Sequence, residues 1–349
     1  MLSFQDYFKE AIDKGASDLH LVAGNKPALR VDGELVFIGE EVVDEKFMET
    51  SVISILDANR AKLFNANREL DFSIEVFDNR FRINLHFQSG KIGLSARRIK
   101  AEVPTAAETG FTDAMIKMAG LKDGLILVTG PSGCGKSTTL ATIINMINEE
   151  RTSHIITIED PIEYIFTDKK SIVEQREVGH DTLSFANALK YVLRQDPNVI
   201  MIGEMRDPET IEAALTAAET GHLVLSTLHT SSAPDTIARI VDSFPGHRKQ
   251  QVLVQLSLTL RGVISQQLIP KVGGGLVAAR EVMINNPAVS NLILENKINQ
   301  LATFIKTNYQ LGMIDMEKSV EHLVAEGLVD EQMASRYKRN TETKGIYYN

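Results

Sequence analysis

The chain has 349 residues, 43% hydrophobic and 24% charged, which is ordinary for a globular protein and enough for two domains. Its formal net charge of −9 argues against a nucleic-acid partner, because affinity for phosphate backbones depends on Lys and Arg. A single cysteine excludes internal disulfides and a multi-cysteine zinc site, and no apolar run approaches the roughly 20 residues that span a bilayer. With a charged rather than apolar amino-terminal segment, these features predict a cytoplasmic protein.

The first hundred residues predict a small α+β domain with a mostly antiparallel sheet. Residues 4–14 and 45–64 have helical apolar spacing, and Asp32-Gly33 and Asp78-Asn79 predict hairpin turns. Alternating apolar and polar residues predict strands within residues 15–21 and at 28–31, 34–38, 70–76, 80–87 and 92–99. We place this domain at residues 1–100, followed by a linker without periodicity at residues 101–112.

A second domain is predicted for residues 113–349, where strand and helix patterns alternate. Apolar strands are expected at residues 125–129, 155–158, 199–202 and 223–227, with helices at 136–148, 184–194, 208–219 and 233–242. This alternation predicts a parallel sheet wrapped by helices, the core of a P-loop NTPase. Beyond Arg248 the pattern is largely helical, apart from a hairpin-like stretch around residues 272–276.

A complete phosphate-loop motif, GxxxxGK[ST], lies at residues 130–137 between a predicted strand and a predicted helix. Its glycines allow backbone N–H groups to surround a phosphate, while Lys136 reaches the β- and γ-phosphates and Ser137 ligates Mg²⁺. A glycine-rich turn before a helix is the alternative, and the flanking elements favour the phosphate loop. We therefore predict binding of ATP with Mg²⁺. The predicted nucleotide-binding loop residues are Gly130, Ser132, Gly133, Cys134, Gly135, Lys136, Ser137 and Thr138.

Acidic residues follow two predicted core strands, and a histidine follows a third. Residues 159–163 read Glu-Asp-Pro-Ile-Glu, and Glu204 follows the strand at 199–202. The carboxyl ends of parallel strands border the crevice where α/β folds bind ligands, and phosphoryl transfer needs carboxylates for the metal and the attacking water. The alternative is that these acidic residues are merely solvated loop residues, and this alternative is weaker for Glu204 than for residues 159–163. We predict His229 near the γ-phosphate, although a lone histidine is more often structural.

Taken in order, these segments resemble the secretion ATPase superfamily and, within it, the PilT-like type IV pilus retraction ATPases. The likeness covers essentially the whole chain. It implies a PAS-like amino-terminal domain, a RecA-like core with a helical carboxy-terminal region, and a homohexamer with ATP sites between the two domains. It also implies a motor for pilus retraction and twitching motility, held peripherally at the inner membrane by the pilus platform protein and the pilus machinery. The stretches that carry the likeness are residues 15–21, 80–84, 130–137, 157–163, 175–178, 202–207 and 221–231.

The resemblance further implies roles for individual residues. Glu204 takes the Walker B position, which holds Mg²⁺ partly through water, and Glu163 takes the position proposed to activate water. Arg82 and Arg97 match arginines that reach the phosphates and stabilise charge, with Arg80 or Arg98 as a further candidate. Without the resemblance, solvation of an edge strand would be the preferred interpretation of these arginines. The predicted catalytic set is Lys136, Glu163, Glu204, His229, Arg82 and Arg97.

Two positions depart from the family pattern. Cys134 stands in the phosphate loop where a small hydroxyl or glycine is usual. Its position near Lys136 and a helix amino terminus predicts a lowered thiol pKa and an accessible thiol that nucleotide would protect; a buried, inert thiol is the alternative. Ser290 replaces the usual arginine in the segment 287–292, which leaves open an accessory paralogue of the retraction motor.

Three other functions remain as alternatives. A pilus extension or type II secretion ATPase usually carries a tetracysteine zinc motif, which a single cysteine cannot form. A nucleotide-binding accessory subunit of a pilus motor is disfavoured by the complete set of Lys136, Glu163 and Glu204. A DNA-translocating ring is disfavoured by the net charge.

Overall fold

The computed structural model describes residues 2–31, 33–99 and 102–337, which form two compact units. The first unit comprises Met1–Glu102 with Glu163–Ile165, and the second comprises Val103–Ile162 with Phe166–Asn349. Each unit has its own sheet and its own buried apolar core.

The first unit is an antiparallel sheet with three helices, and the predicted α+β class is confirmed. Its six strands lie in the order β3-β2-β1-β6-β5-β4. The elements are α1 (Phe4–Asp13), β1 (Asp18–Val22), β2 (Ala28–Val31), β3 (Glu34–Phe37), α2 (Glu45–Ile55), α3 (Ala58–Asn67), β4 (Glu69–Val76), β5 (Asn79–Gln88) and β6 (Lys91–Arg98).

Alternation along the strands separates an apolar face of this sheet from a polar one. Leu19 and Leu21 of β1 are fully buried, as are Ile83 of β5 and Leu94 of β6. Phe8 of α1 packs edge-on against Phe81, with ring centroids 4.9 Å apart. Because successive side chains point to opposite faces, the even-numbered residues of β1 and β5 and the odd-numbered residues of β6 share the polar face.

Two local predictions in this unit are wrong. The helical pattern at residues 45–64 forms two helices, because the Asp57 side chain accepts the backbone N–H groups of Asn59 and Arg60 and so starts α3. The turn between β4 and β5 lies at Phe77-Asp78, one residue earlier than predicted, and both residues have positive φ, 51° and 56°. Asp32, which belongs to the other predicted turn, lies outside the described residues.

The second unit is a seven-stranded sheet in the order β13-β12-β7-β11-β10-β8-β9, covered by helices. The strands from β12 to β9 are parallel to one another. Its elements begin with α4 (Asp113–Ala119), β7 (Gly124–Thr129), α5 (Lys136–Glu150), β8 (His154–Glu159), β9 (Ile172–Glu177), α6 (Phe185–Val192), β10 (Val199–Ile202), α7 (Pro208–Glu219), β11 (Leu223–Leu228), α8 (Ala233–Asp242), α9 (Gly246–Thr259), β12 (Leu260–Pro270) and β13 (Leu276–Ile284). They end with α10 (Pro287–Leu294), α11 (Leu301–Thr307), α12 (Met316–Ala325), α13 (Glu331–Ser335) and two short 3₁₀ turns.

Both faces of this sheet are buried. All six residues of β7 are buried; Leu125 and Leu127 pack on the side of α7 to α9, and Ile126 and Val128 on the side of α4 and α5. Such continuous burial explains why the core strands read as uninterrupted apolar runs in the sequence. Among the described helices, none has both the length and the hydrophobicity needed to cross a membrane.

The predicted P-loop core is confirmed, but the sequence pattern predicts too few strands and makes the last two too short. The edge strand β9 was not predicted, because its sequence Ile-Val-Glu-Gln-Arg-Glu has little apolar character. Beyond Arg248 the predicted hairpin is present, but its strands β12 and β13 have 11 and 9 residues and extend the sheet next to β7. Helix α9 passes into β12 without an intervening loop, so no turn signal marks the change.

Candidate active site

The phosphate-loop motif forms a tight connection between β7 and α5. Gly130 has φ 145°, and a side chain there would place its Cβ 2.3 Å from the backbone oxygen of Gln266. Gly135 has φ 85° and forms the amino-terminal cap of the 15-residue helix α5 without a side-chain hydrogen bond. Only glycine fits both positions without strain. The loop therefore leads directly into the amino terminus of a long helix, where the helix dipole favours an anion.

Lys136 is buried at the start of α5 and bonds to its own loop. Its side-chain Nζ donates to the backbone oxygens of Gly130, at 2.9 Å, and Pro131, at 3.0 Å. Ser137 and Thr138 follow in the first turn and are half-buried, whereas Ser132 and Gly133 at the tip of the loop are exposed. The ammonium group of Lys136 thus lies against the backbone at the start of the predicted loop.

The expected acidity of the Cys134 thiol is wrong. Cys134 is 4% exposed, and a Cβ on Gly130 would lie 2.6 Å from its sulfur. Burial raises the pKa of the thiol above its ordinary value, and this outweighs the nearby Lys136 and the backbone N–H groups, which act in the opposite direction. The sequence reveals the charge and the helix terminus but not this burial, and the structure favours the alternative of an inert thiol.

Glu204 and His229 lie together at the carboxyl edge of the sheet. They follow the adjacent parallel strands β10 and β11, and Glu204 Oε2 lies 3.4 Å from His229 Nε2. Glu204 Oε1 also accepts from Nε of Arg206 at 2.6 Å. Because β11 lies between β7 and β10, the phosphate loop, His229 and Glu204 emerge from three neighbouring strands at one edge.

The two glutamates at the ends of the acidic segment 159–163 have different surroundings. Glu159 is buried at the end of β8, where its Oε1 accepts from Oγ1 of Thr157 at 2.7 Å and from Nε2 of Gln175 at 3.2 Å. Glu163 is exposed and lies in the segment Glu163–Ile165 of the first unit. Of these two carboxylates, Glu163 is the one open to solvent.

Arg82 and Arg97 lie opposite each other on the polar face of the first unit. They are register partners on β5 and β6, and their side chains are 45% and 72% exposed. Arg80 is two residues before Arg82 on β5 and shares this face, whereas Arg98 is on the other face of β6 and donates through Nε to Asn79 Oδ1 at 2.9 Å. The strand register thus selects Arg80 over Arg98 as the further candidate.

Asp18 holds Arg97 in place on this face. Nε of Arg97 donates to Asp18 Oδ1 at 2.7 Å, and the Ser17 hydroxyl donates to Asp18 Oδ2 at 2.8 Å. Burial of Asp18 raises its carboxyl pKa, but the hydrogen bonds from Arg97 and Ser17 are stronger together and leave the pKa below its ordinary value. The segment 15–21 therefore contributes a carboxylate that orients one of the predicted arginines.

The sequence patterns missed Gln266 and Arg280, which lie beneath the phosphate loop. Gln266 Nε2 donates to the backbone oxygen of Cys134 at 2.7 Å, and Gln266 Oε1 accepts from Oγ1 of Thr139 at 2.8 Å. Arg280 is the register partner of Gln266 on β13. These residues reach the loop because β12 pairs with β7 and β13 pairs with β12. The sequence pattern did not predict this pairing.

Divalent cations in phosphate loops bind mainly to oxygen atoms of the nucleotide and of a Ser or Thr hydroxyl. In residues 2–31, 33–99 and 102–337, no group of three His, Cys, Asp or Glu side chains is arranged to hold a metal ion. The half-buried Ser137 in the first turn of α5 is a suitable oxygen donor beside the loop. The donor set therefore fits Mg²⁺ that arrives together with a nucleotide.

Comparisons with known proteins agree with the resemblance found in the sequence. The family described as "Type II/IV secretion system protein" matches residues 2–287. The chain is 47% identical to the type IV pilus retraction ATPase PilT of Pseudomonas aeruginosa over 92% of its own length and 94% of that protein. It is 46% identical to a twitching motility protein of Neisseria gonorrhoeae over 91% of its own length and 85% of that protein. A crystal structure of the pilus retraction motor PilT with bound ADP superimposes with a TM-score of 0.91 and 46% identity over 98% of both chains.

We predict that Asp18→Asn lowers the free energy of unfolding of this protein by about 1 kcal/mol near neutral pH, since it weakens charged hydrogen bonds to a largely exposed arginine. Because the folded-state pKa of Asp18 is lowered, its stabilisation is present above the unfolded pKa and is lost as the pH falls through the folded pKa. Urea unfolding should therefore show a constant difference from wild type between about pH 7 and about pH 5, and a difference that shrinks as the pH falls below about 4.

The matched control is Asp71→Asn, because Asp71 lies 3.9 Å from Arg82 and is 55% exposed. This variant should unfold within about 0.5 kcal/mol of wild type. If both substitutions change the free energy of unfolding equally at all pH values, Asp18 does not stabilise the fold through its charged bond to Arg97.

Proposed function

The chain belongs to the type II/IV secretion system protein family, and on that premise we propose that it is an ATPase motor that powers retraction of type IV pili and twitching motility. The observation that carries the proposal is the phosphate loop with Glu204 and His229 at the same sheet edge, in a chain that is similar over nearly its whole length to retraction ATPases. The reaction is hydrolysis of ATP to ADP and phosphate, which frees energy for mechanical work.

In this proposal the phosphate loop binds the nucleotide. The N–H groups of the loop and of the first turn of α5 face the phosphates, and Ser137 with Thr138 completes the contact. Lys136 must exchange its two backbone acceptors, Gly130 and Pro131, for phosphate oxygens. Each exchange replaces a neutral acceptor by a charged one, and charge-assisted hydrogen bonds are roughly twice as strong.

Mg²⁺ would be held by the Ser137 hydroxyl and, partly through water, by Glu204. The ion would neutralise the charge that develops on the phosphate oxygens. Glu204 Oε2 lies 3.4 Å from His229 Nε2, and in this proposal the imidazole contacts the γ-phosphate. We assign to Glu163, the exposed carboxylate of the acidic segment, the activation of the attacking water.

The arginines on the polar face of the first unit would complete the site in a homohexamer. We propose that Arg82 and Arg97, with Arg80, reach the phosphates and stabilise the transition state. Asp71 holds Arg82 through an exposed ion pair, which contributes little, whereas the buried Asp18 holds the exposed Arg97 through a short hydrogen bond. The ring would be cytoplasmic, bound peripherally at the inner membrane to the pilus platform protein, with no nucleic-acid partner.

One observation favours an accessory motor subunit as a second candidate. Ser290 stands where retraction ATPases usually have arginine, and its hydroxyl donates to Ser257 O at 2.8 Å and lies 3.0 Å from Asn285 Oδ1. This side chain is therefore used inside the fold and cannot make the contact of an exposed arginine. Cells that lack a principal motor should keep their pili and fail to retract them, whereas loss of an accessory subunit should only weaken retraction under load.

We predict that Lys136→Ala abolishes ATP hydrolysis and weakens ATP binding, because the loop loses its only ammonium group. Glu204→Ala should bind ATP normally but turn over at least ~10²-fold more slowly, because its contribution is greatest in the transition state. Binding is measured with a fluorescent nucleotide and turnover by phosphate release. Glu209→Ala, an exposed glutamate at the start of α7, is the matched control and should retain wild-type turnover. Near-normal turnover of Glu204→Ala would refute the assignment of that strand end.

We predict that the ATPase rate per chain rises with protein concentration, because the arginines act only when a ring is assembled. Arg97→Ala should lower turnover by about 10- to 100-fold in a chain that still folds cooperatively, with a free energy of unfolding lower by about 1 kcal/mol because Asp18 loses its partner. Arg98→Ala, its neighbour on the opposite face of β6, should lower turnover much less. A rate that does not depend on concentration, from a chain shown to be monomeric by sedimentation, would disprove the ring.

A further inference from the structure

We propose that Gln266 and Arg280 are positioning residues that fix the shape of the phosphate loop and connect it to residues 103–111. The inference rests on the proposed function in one respect, namely that the loop binds a nucleotide. Gln266 and Arg280 both belong to the second unit, and neither is among the predicted site residues.

Gln266 contacts the loop at its beginning, middle and end. Its backbone oxygen closes the space beside Gly130, its side-chain Nε2 donates to Cys134 O, and its Oε1 accepts from Thr139 in the first turn of α5. The side chain is only 1% exposed, so these hydrogen bonds do not compete with solvent. A rotation of the peptide at Cys134 or a shift of Thr139 would therefore break a buried hydrogen bond to Gln266.

The bond to Cys134 O also sets the direction of a phosphate-binding group. In a trans peptide the C=O and the following N–H point in opposite directions, so the N–H of Gly135 points away from Gln266. Phosphate loops bind their anion through such N–H groups. Gln266 thus preorganises the Gly135 N–H, which lies immediately before Lys136.

Arg280 connects Gln266 to the segment that follows the first unit in the chain. Its Nε lies 3.4 Å from Gln266 Oε1, its Nη1 donates to Gly110 O at 3.1 Å, and its guanidinium lies 5.5 Å from the centroid of the Phe111 ring. Burial lowers the pKa of Arg280 to about 10, so it remains charged near neutral pH. Within the part of the chain that the structure describes, no carboxylate forms an ion pair with it.

A buried arginine without a carboxylate lowers the stability of the fold, because no opposite charge offsets the free energy of its desolvation. Three neutral groups offset this desolvation: the amide oxygen of Gln266 on β12, and the Gly110 oxygen and the Phe111 ring in residues 103–111. Thr142 of α5 makes a second link to the same segment, with its hydroxyl 3.1 Å from Pro104 O. Residues 103–111 are thus tied both to the helix that follows the phosphate loop and, through Arg280, to the residue beneath the loop.

The coupling must act in both directions, because a nucleotide that favours one loop conformation favours the matching arrangement of residues 103–111 to the same extent.

We expect Gln266→Leu to weaken ADP binding about tenfold, because the loop loses buried hydrogen bonds that hold it in shape. Gln267→Leu is the matched control, because Gln267 is the next residue of the same strand and points to the opposite face. It should bind ADP within about twofold of wild type.

Arg280→Met tests the connection to residues 103–111. Hydrogen exchange of the amides of Thr109 to Phe111 should change on addition of ADP to the wild type, and this change should disappear in Arg280→Met while ADP binding falls by no more than about threefold. Arg280→Lys, which keeps the charge but not the fork of donors, should lose most of the change as well. A merely structural role would not alter this nucleotide-dependent signal.

The outcomes separate this proposal from the proposed function. If the wild-type protein binds no ADP, and Lys136→Ala does not change this result, the nucleotide site itself is refuted. Normal binding by wild type with equal affinities of Gln266→Leu and Gln267→Leu refutes the positioning role. Exchange of residues 109–111 that does not respond to ADP in the wild type refutes the connection. If Gln266→Leu does not fold, Gln266→Glu, which keeps the acceptor but cannot donate to Cys134 O, should show the same weakening.

Discussion

The candidate site depends on one constraint, the common direction of the central strands of the second sheet. Strands β7, β11, β10 and β8 are adjacent and parallel, so all of them end at the same edge. Helices cover both faces and leave the core strands buried, which fixes their positions to within the packing tolerance of a close-packed interior. Residues as distant in sequence as Lys136, Glu204 and His229 then need only follow their strands to meet at this edge.

Much of this arrangement could be predicted from sequence because its signals are local. The phosphate loop is specified by glycines and a lysine at fixed spacing, and doubly buried strands appear as apolar runs. The edge strand β9 was missed because it carries polar residues, and the lengths of β12 and β13 were underestimated because no turn separates α9 from β12. The bond between Gln266 and Cys134 joins residues 132 positions apart and exists only through the register of β12 with β7. The Cys134 pKa was predicted in the wrong direction for a similar reason, since burial is a property of the fold and not of neighbouring residues.

Exposed and buried arginines are held in different ways. Arg97 and Arg206 are 72% and 74% exposed and pair with carboxylates, so little free energy is needed to transfer them to a stronger anion. Arg280 is buried and bonded to neutral groups, and its removal from them would be costly. The exposed arginines are therefore suited to exchange partners during a reaction cycle, and the buried one is suited to keep its partners.

The same distinction applies within the phosphate loop. Lys136 is held by two backbone oxygens of the loop itself, and a phosphate offers it stronger, charged acceptors. The carbonyl of Cys134, in contrast, is held by Gln266, which is anchored in β12 and cannot follow the loop. Nucleotide binding would thus break the bonds of Lys136 to its loop, while the bond of Gln266 to Cys134 keeps its place in the fold. Any resulting movement of the loop would strain the hydrogen bonds of Gln266 and, through them, those of Arg280. On the proposal that Gln266 and Arg280 position the loop, the free energy of binding a phosphate would also act on residues 103–111, which these side chains connect to the loop.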